Sequence, residues 1–160
     1  MDQLFEAAAA AQANAYAPYS SFAVGAAVRT AAGTIYSGAN VENASYPVGN
    51  CAEASAIAAM VVAGERHLVE ILIVGDGDAL ATPCGACRQR IFEFAGKDAK
   101  IYVAGPGGIR ACFSSGALLP EAFGLRAEAS GLRAEALDMR ATAPQAVNSL
   151  DGEPEQATAI

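Results

Sequence analysis

Two short segments of the sequence carry the residue types best suited to chemistry. One reads Cys-Ala-Glu at residues 51–53, and the other reads Pro-Cys-Gly-Ala-Cys at residues 83–87. Three thiolates suit a zinc ion and leave the fourth tetrahedral position open for water. A carboxylate beside such a site, here Glu53, can take a proton from that water and pass it to a substrate. The predicted ligands of this catalytic zinc site are Cys51, Cys84 and Cys87.

Each of these segments stands at the start of a predicted helix. Apolar residues on one side of residues 51–63, with a glycine at position 64, predict the first helix, and residues 84–94 predict the second. Backbone N–H groups and the positive end of the helix dipole gather at a helix start, which favours thiolate over thiol. Two such starts lying side by side would bring the three sulfur atoms to one metal ion.

The rest of the sequence alternates between helix and strand patterns. Residues 2–15 are rich in alanine, the best helix former, and predict an opening helix. The polar residues 40–50 predict a long loop. This order predicts an α/β fold in which helices pack on a mixed sheet. The segments with strand character are residues 22–30, 34–39, 69–75, 100–104 and 109–113.

The composition excludes several classes of protein. The 160 residues carry a formal net charge of −7, which argues against nucleic-acid binding, because phosphate neutralisation needs clustered Lys and Arg. No apolar run approaches the length of about 18 residues that a membrane helix needs. The N-terminus is acidic and lacks the basic start of a signal peptide, so a cytoplasmic protein is expected. In that setting four cysteines indicate metal binding or catalysis rather than disulfides.

The composition also predicts a division of the chain near residue 124. Residues 1–124 hold every predicted strand and every residue singled out for chemistry, so we expect them to form the catalytic domain. Residues 125–160 are acidic, rich in alanine and without a strand-like run. They are predicted to form a short helix or a disordered extension.

A wider pattern surrounds the two cysteine segments. A glutamate two residues after the first ligand, followed by Pro-Cys-x-x-Cys, is a signature of zinc deaminases, here in its three-cysteine form. The chain resembles the small, homotetrameric cytidine deaminases from its first helix to Phe123. That resemblance implies a three-layer α/β/α sandwich with a mixed five-stranded sheet, and one Zn²⁺ per chain. The segments that carry it are residues 15–22, 24–27, 40–46, 51–53, 83–89 and 118–123.

The resemblance implies how this chain would bind a nucleoside. Phe22 would pack against the face of the pyrimidine, while Asn40 and Glu42 would hydrogen-bond the ribose hydroxyls. A site built for those hydroxyls rejects analogues that lack them, because its own polar groups are then left unpaired. Tyr46 would line the site, and the backbone of Ala52 would help to hold the edge of the base.

The resemblance also implies a reaction and an assembly. Water would attack C4 of cytosine while Glu53 shuttles the proton, with release of ammonia. Cytidine and 2′-deoxycytidine would become uridine and 2′-deoxyuridine, a step of pyrimidine salvage. Phe123 would reach the pocket of a neighbouring subunit, so a homotetramer with sites at its interfaces is expected.

Two positions depart from the family pattern. Ala54 stands where the family has an arginine after Cys-Ala-Glu, and Pro47 stands where glycine is common. In the family the arginine donates hydrogen bonds to ligand sulfur and offsets the charge of three thiolates. We expect Arg88 and the two helix dipoles to compensate that charge here. The departures leave open a deaminase of another aminated heterocycle, such as a blasticidin-like nucleoside or guanine.

Plainer interpretations of the same residues also remain open. Cys84 and Cys87 could form a redox pair, or could bind structural zinc with Cys112 as a fourth ligand in a module without turnover. Otherwise Cys112 is predicted to be a small buried residue of the last strand. Asn40 and Glu42 could cap their loop rather than bind a ribose.

Overall fold

A computed structural model describes residues 1–124, and the predicted extension over residues 125–160 lies outside the described residues. Four α-helices occur in the described part: α1 (Asp2–Gln12), α2 (Ala52–Val62), α3 (Gly85–Phe94) and α4 (Ser115–Leu118). Five strands lie between them in the chain: β1 (Val24–Thr30), β2 (Ile35–Ala39), β3 (Leu68–Gly75), β4 (Ala95–Gly105) and β5 (Gly108–Ser114). A single turn of 3-10 helix, Tyr46–Val48, interrupts the long loop between β2 and α2.

The five strands form one mixed sheet in the order β2-β1-β3-β4-β5. Strands β3 and β4 are parallel, and the other three neighbouring pairs are antiparallel. A parallel pair needs a long crossover connection, and α3 supplies it between β3 and β4. The predicted mixed sheet is therefore confirmed, and its central strand is the apolar β3.

Helices cover both faces of the sheet, which confirms the three-layer sandwich. Successive side chains of β3 point to opposite faces, so a strand buried on both sides is apolar at nearly every position. The core on the side of α2 and α3 includes Ile57, Met60, Ile71, Ile73, Ile91 and Ile101. The core on the side of α1 includes Leu4, Ala8, Leu72, Val74 and Tyr102. Within residues 1–124, no helix combines the length and apolarity needed to cross a membrane.

Two glycines let the helices lie directly on the strands. A Cβ atom at Gly25 of β1 would stand 2.0 Å from the carbonyl oxygen of Ala8 and 2.5 Å from the backbone nitrogen of Gln12. On the opposite face, a Cβ atom at Gly38 of β2 would stand 2.4 Å from the backbone nitrogen of Ala56 in α2. Both clashes involve helix backbone, which cannot move without shifting the whole helix.

Replacing Gly25 with alanine is expected to lower the free energy of unfolding by about 1–3 kcal/mol, the usual cost of overpacking. The reason is that α1 must move away from β1. Urea denaturation measures the loss. Gly96→Ala is the matched control, because a Cβ atom there meets nothing within 4 Å, and it should stay within about 0.5 kcal/mol of wild type. Equal effects of the two substitutions would contradict the close packing of α1.

The structure corrects several sequence-based expectations. Helix α1 ends at Gln12 rather than near residue 15, and α4 was not predicted. Strand β4 begins at Ala95, five residues before the predicted start, because Ala95 pairs with Leu68 ahead of an irregularity in the ladder. The prediction that Cys112 is buried was wrong. Strand β5 is an edge strand of the sheet, and its Cys112 is exposed.

Candidate metal centre and active site

The structure brings the three predicted ligand cysteines together at the starts of two helices. Cys51 is the residue that caps the N-terminus of α2, and Cys84 caps the N-terminus of α3. Neither thiol bonds to its own helix backbone. The Sγ atoms of Cys51 and Cys84 are 3.9 Å apart. Cys87 lies in the first turn of α3, and all three sulfur atoms lie within 4.8 Å of one another.

A hydrogen bond between the thiols of Cys51 and Cys87 shifts their pKa values in opposite directions. The pKa of Cys51 is lowered from 9.0 to about 6, chiefly because its sulfur accepts a hydrogen bond from the Cys87 thiol. The same bond, together with burial and the nearby Glu53 charge, raises the pKa of Cys87. Metal ligands must be deprotonated, so a bound cation would have to displace the proton held by Cys87.

Glu53 lies beside this cluster in the first turn of α2. It is only 5% exposed, and its negative charge raises the pKa of both Cys51 and Cys87. Within residues 1–124 no hydrogen bond uses its carboxylate. A buried acceptor that is not engaged elsewhere is available to take up and release a proton.

Ser55 fixes the start of α2, a role that sequence patterns did not reveal. Its hydroxyl donates to the backbone oxygen of Ala39 at 3.0 Å and accepts from the side-chain amide of Asn50 at the same distance. These bonds tie the first turn of α2 to the end of β2 and to the residue before Cys51. The position of the first ligand therefore depends on Ser55 as well as on the helix itself.

Arg88 and Gln89 of α3 donate hydrogen bonds to backbone oxygens before α3, at the end of α4 and after α4. The Arg88 guanidinium donates to the backbone oxygens of Pro83, at 2.9 Å, and Leu118, at 3.3 Å. The Gln89 amide donates to the backbone oxygen of Phe123 at 2.8 Å. Within residues 1–124 the hydrogen bonds of Arg88 thus go to backbone oxygens rather than to sulfur. The Phe123 side chain is 73% exposed.

A cleft of about 300 Å³ lies between the loop that precedes β1 and the loop that joins β2 to α2. Its tyrosine rings, Tyr19 and Tyr46, meet edge to face with centroids 6.0 Å apart. Tyr46 is 75% exposed. The three thiols and Glu53 are not among its lining residues. The lining residues are Tyr19, Ser20, Glu42, Asn43, Tyr46 and Gly49.

The Glu42 carboxylate at this cleft is already hydrogen-bonded. It accepts from the backbone N–H of Tyr19 at 2.9 Å, from the backbone N–H of Ser20 at 3.2 Å and from the Ser20 hydroxyl. The Ser20 hydroxyl, followed by the Tyr19 N–H, lowers the pKa of Glu42. A carboxylate has about four acceptor sites, so capping the loop leaves it room for one further donor.

Asn40 also combines a loop role with the predicted ligand role. Its side-chain oxygen accepts from the backbone N–H of Val24 at 2.8 Å, and its amide donates to the backbone oxygen of Phe22 at 2.9 Å. These bonds fix the entrance to β1. The Phe22 ring is 39% exposed, whereas Ala52, the first residue of α2, is fully buried.

Comparisons with known proteins place this geometry in a family. A family model described as the cytidine and deoxycytidylate deaminase zinc-binding region matches residues 1–104. A cytidine deaminase from Halalkalibacterium halodurans is 42% identical over 120 residues, which cover 75% of this chain and 91% of that protein. The chain belongs to the cytidine and deoxycytidylate deaminase family. Membership makes it a hydrolytic deaminase with a zinc-binding region.

Solved structures of the family share the fold described above. A crystal structure of cytidine deaminase from Burkholderia pseudomallei is 44% identical, with a TM-score of 0.72, and the match covers 76% of this chain and 98% of that one. Cytidine deaminase from Mycobacterium tuberculosis is 40% identical, with a TM-score of 0.67 and coverage of 78% and 97%. The α/β architecture is thus common to the family.

The three cysteines fit the zinc ion of the family. With Zn–S bonds of about 2.3 Å, tetrahedral angles put ligand sulfur atoms about 3.8 Å apart. The distance of 3.9 Å between Cys51 and Cys84 matches that spacing. Cys112, the possible fourth thiolate, lies outside the cluster. The described residues therefore offer one ion three sulfur ligands and an open fourth position.

Proposed function

We propose that this chain deaminates cytidine and 2′-deoxycytidine to uridine and 2′-deoxyuridine, as a step of pyrimidine salvage. One observation carries the proposal: three thiols converge at two helix starts, beside a buried carboxylate that has no hydrogen-bond partner within residues 1–124. A structural zinc site needs four protein ligands and no acid or base. The names of the relatives supply the substrate class.

Cys51, Cys84 and Cys87 would hold the ion, and Glu53 would move the protons. When bound, zinc would lower the pKa of a water molecule at its open position and would make that oxygen nucleophilic at neutral pH. Glu53 takes the protons of the attacking water and delivers one to ring nitrogen N3 and one to the departing amino group. A C–O bond forms at C4, the C–N bond breaks, and ammonia leaves.

The predicted nucleoside contacts remain part of this proposal. Phe22 would meet the pyrimidine with the part of its ring that is exposed. Asn40 and Glu42 would bind the ribose hydroxyls through the donor and acceptor sites that their loop bonds leave open. Tyr46 would close the cleft over the sugar, and the backbone of Ala52 would bind the edge of the base.

We also propose that the protein is a cytoplasmic homotetramer whose sites lie at subunit interfaces. Tyr46, Val48 and Phe123 are 75%, 65% and 73% exposed, and exposed large apolar side chains favour coverage by a neighbouring subunit. The Phe123 ring would then complete the site of another protomer. A reducing compartment suits the chain, because its ligands must remain free thiols.

Arg88→Ala is expected to weaken zinc affinity or turnover by about 10- to 100-fold, the usual cost of losing a group that supports metal ligands. Arg88 would offset the thiolate charge that Ala54 leaves uncompensated, and it also holds the backbone oxygen of Pro83 next to a ligand. Competition with a chromogenic chelator measures the affinity. Arg66→Ala, at an exposed position, is the control. Unchanged affinity and turnover in Arg88→Ala would show that Arg88 does not support the zinc site.

Turnover of four substrates by the zinc-loaded protein tests the proposed function. The absorbance change on deamination should be rapid for cytidine and 2′-deoxycytidine and absent for guanine and blasticidin S. Preference for guanine or blasticidin S would assign the site to another heterocycle. A protein that binds one zinc per chain and deaminates none of the four would instead be a structural-zinc module.

A further inference from the structure

Every backbone polar group of residues 22–24 is hydrogen-bonded, mostly by side chains from elsewhere in the chain. The Phe22 N–H donates to the hydroxyl of Ser20 at 3.0 Å, and the Phe22 oxygen accepts from the Asn40 amide. The Val24 N–H donates to the side-chain oxygen of Asn40, and the Val24 oxygen accepts from the Asn40 backbone. The two residues before β1 and its first residue are thus held on both sides of the backbone.

Asp76 and Gln12 supply the remaining two bonds, at Ala23. The Ala23 N–H donates to one carboxylate oxygen of Asp76 at 3.1 Å. The Gln12 amide donates to the Ala23 oxygen at 3.0 Å and to the other oxygen of Asp76 at 2.9 Å. Gln12 is the last residue of α1, and Asp76 follows β3 directly, so the triangle joins both elements to the residue after Phe22.

The Phe22 ring lies against the same end of β3. A Cβ atom built on Gly75 would stand 3.3 Å from the tip of the ring and 2.4 Å from the side chain of Ala81. Gly75 immediately precedes Asp76. Ser21 before the ring has a φ of 54°, a left-handed conformation that few residues other than glycine adopt. The backbone on either side of Phe22 therefore fixes the position of the ring, while part of the ring surface stays exposed.

We propose that Asp76 and Gln12 are positioning residues that set the Phe22 ring for the pyrimidine. The inference rests on the proposed function and concerns residues that do not themselves touch the substrate. Asp76 acts through the Ala23 N–H, and Gln12 holds both Asp76 and the Ala23 oxygen. Displacing Ala23 swings the neighbouring ring, so base binding weakens although the zinc ligands and Glu53 are unchanged.

Asp76→Asn is the sharpest test. Asparagine keeps the size of the side chain but cannot satisfy all the hydrogen bonds of the triangle at once. If the new amide group faces the Gln12 amide, two donors meet. Rotating the asparagine turns its amide group towards the Ala23 N–H, which is also a donor, and rotating Gln12 instead sets its oxygen against the Ala23 oxygen. KM for cytidine should rise about threefold to tenfold, the range expected when an aromatic contact is lost, and kcat should change less. Asp78→Asn is the matched control. It makes the same substitution two residues later, in a fully exposed carboxylate that lies 3.9 Å from the Arg110 guanidinium.

A double-mutant cycle separates positioning of the ring from general destabilisation. Phe22→Ala alone should raise KM, and Asp76→Asn should add nothing further in the Phe22→Ala background, because both act through one ring. Equal KM effects of Asp76→Asn in the two backgrounds would overturn the proposal. So would an Asp76→Asn variant whose KM equals that of Asp78→Asn.

Amide exchange provides a readout that needs no turnover. Because asparagine cannot satisfy both partners of Asp76, its bond from the Ala23 N–H should weaken, and the hydrogen-exchange rate of that N–H should rise in Asp76→Asn but not in Asp78→Asn. A wild-type protein that does not deaminate cytidine would overturn the proposed function and the substrate role of Asp76 with it. Unchanged Ala23 exchange in an enzyme that does turn over cytidine would overturn the positioning role alone.

Discussion

Replacing Glu53 with glutamine is expected to lower kcat for cytidine by about 100- to 10,000-fold, the usual contribution of a general acid–base group. Glutamine fills the space of the buried side chain but cannot accept a proton from water. The three cysteines are untouched, so the variant should still bind one zinc per chain. Steady-state turnover together with zinc analysis of the same sample measures both quantities.

The matched control for this variant is Glu6→Gln on the exposed side of α1. It makes the same chemical change in a carboxylate far along the chain from the cysteine segments. Because substitutions on the surface usually have small effects, kcat should stay within about twofold of wild type. Turnover of Glu53→Gln at the wild-type rate, with zinc bound, would show that another group moves the protons.

Cys84→Ser is expected to abolish stable zinc binding and turnover together. The serine hydroxyl is not deprotonated at neutral pH, so only two thiolates would remain. Losing a group that only supports a metal ligand costs up to about 100-fold in metal affinity. Losing a ligand itself should cost more, so we expect the affinity for zinc to fall by more than about 100-fold. Zinc retained after dialysis against a chelator, expressed per chain, measures the effect.

Cys112→Ser provides an unusually close control. Both cysteines are exposed, and both receive the same substitution, but only Cys84 belongs to the cluster of sulfur atoms. Cys112→Ser should keep one zinc per chain and full turnover. Zinc loss in Cys112→Ser would mean that the ion has four sulfur ligands, which would leave no open position for water.

The parts of the site that could be predicted from sequence are those encoded within a few neighbouring residues. Residues 51–53 and 83–87 carry both the ligands and the helix starts that position them, so local reasoning was sufficient. The patterns of residues 22–30 and 69–75 likewise identified two strands, β1 and β3, and the structure buries both of them on both faces of the sheet.

Other features depend on contacts between distant parts of the chain. The bond between Gln12 and Asp76 spans 64 positions, and neither residue stands in a motif. Cys112 was expected in the core because a free cysteine is usually a small buried residue, but only the strand order reveals that β5 is at the edge. The start of β4 was missed because polar residues precede its apolar run.

Zinc titration into metal-free protein, with cytidine turnover followed at each addition, tests the central claim most directly. The three-thiol site predicts no turnover without zinc, a linear rise, and a plateau at one zinc per chain. Full occupancy at one zinc per chain without any conversion of cytidine to uridine would contradict the assignment of this site to cytidine deamination.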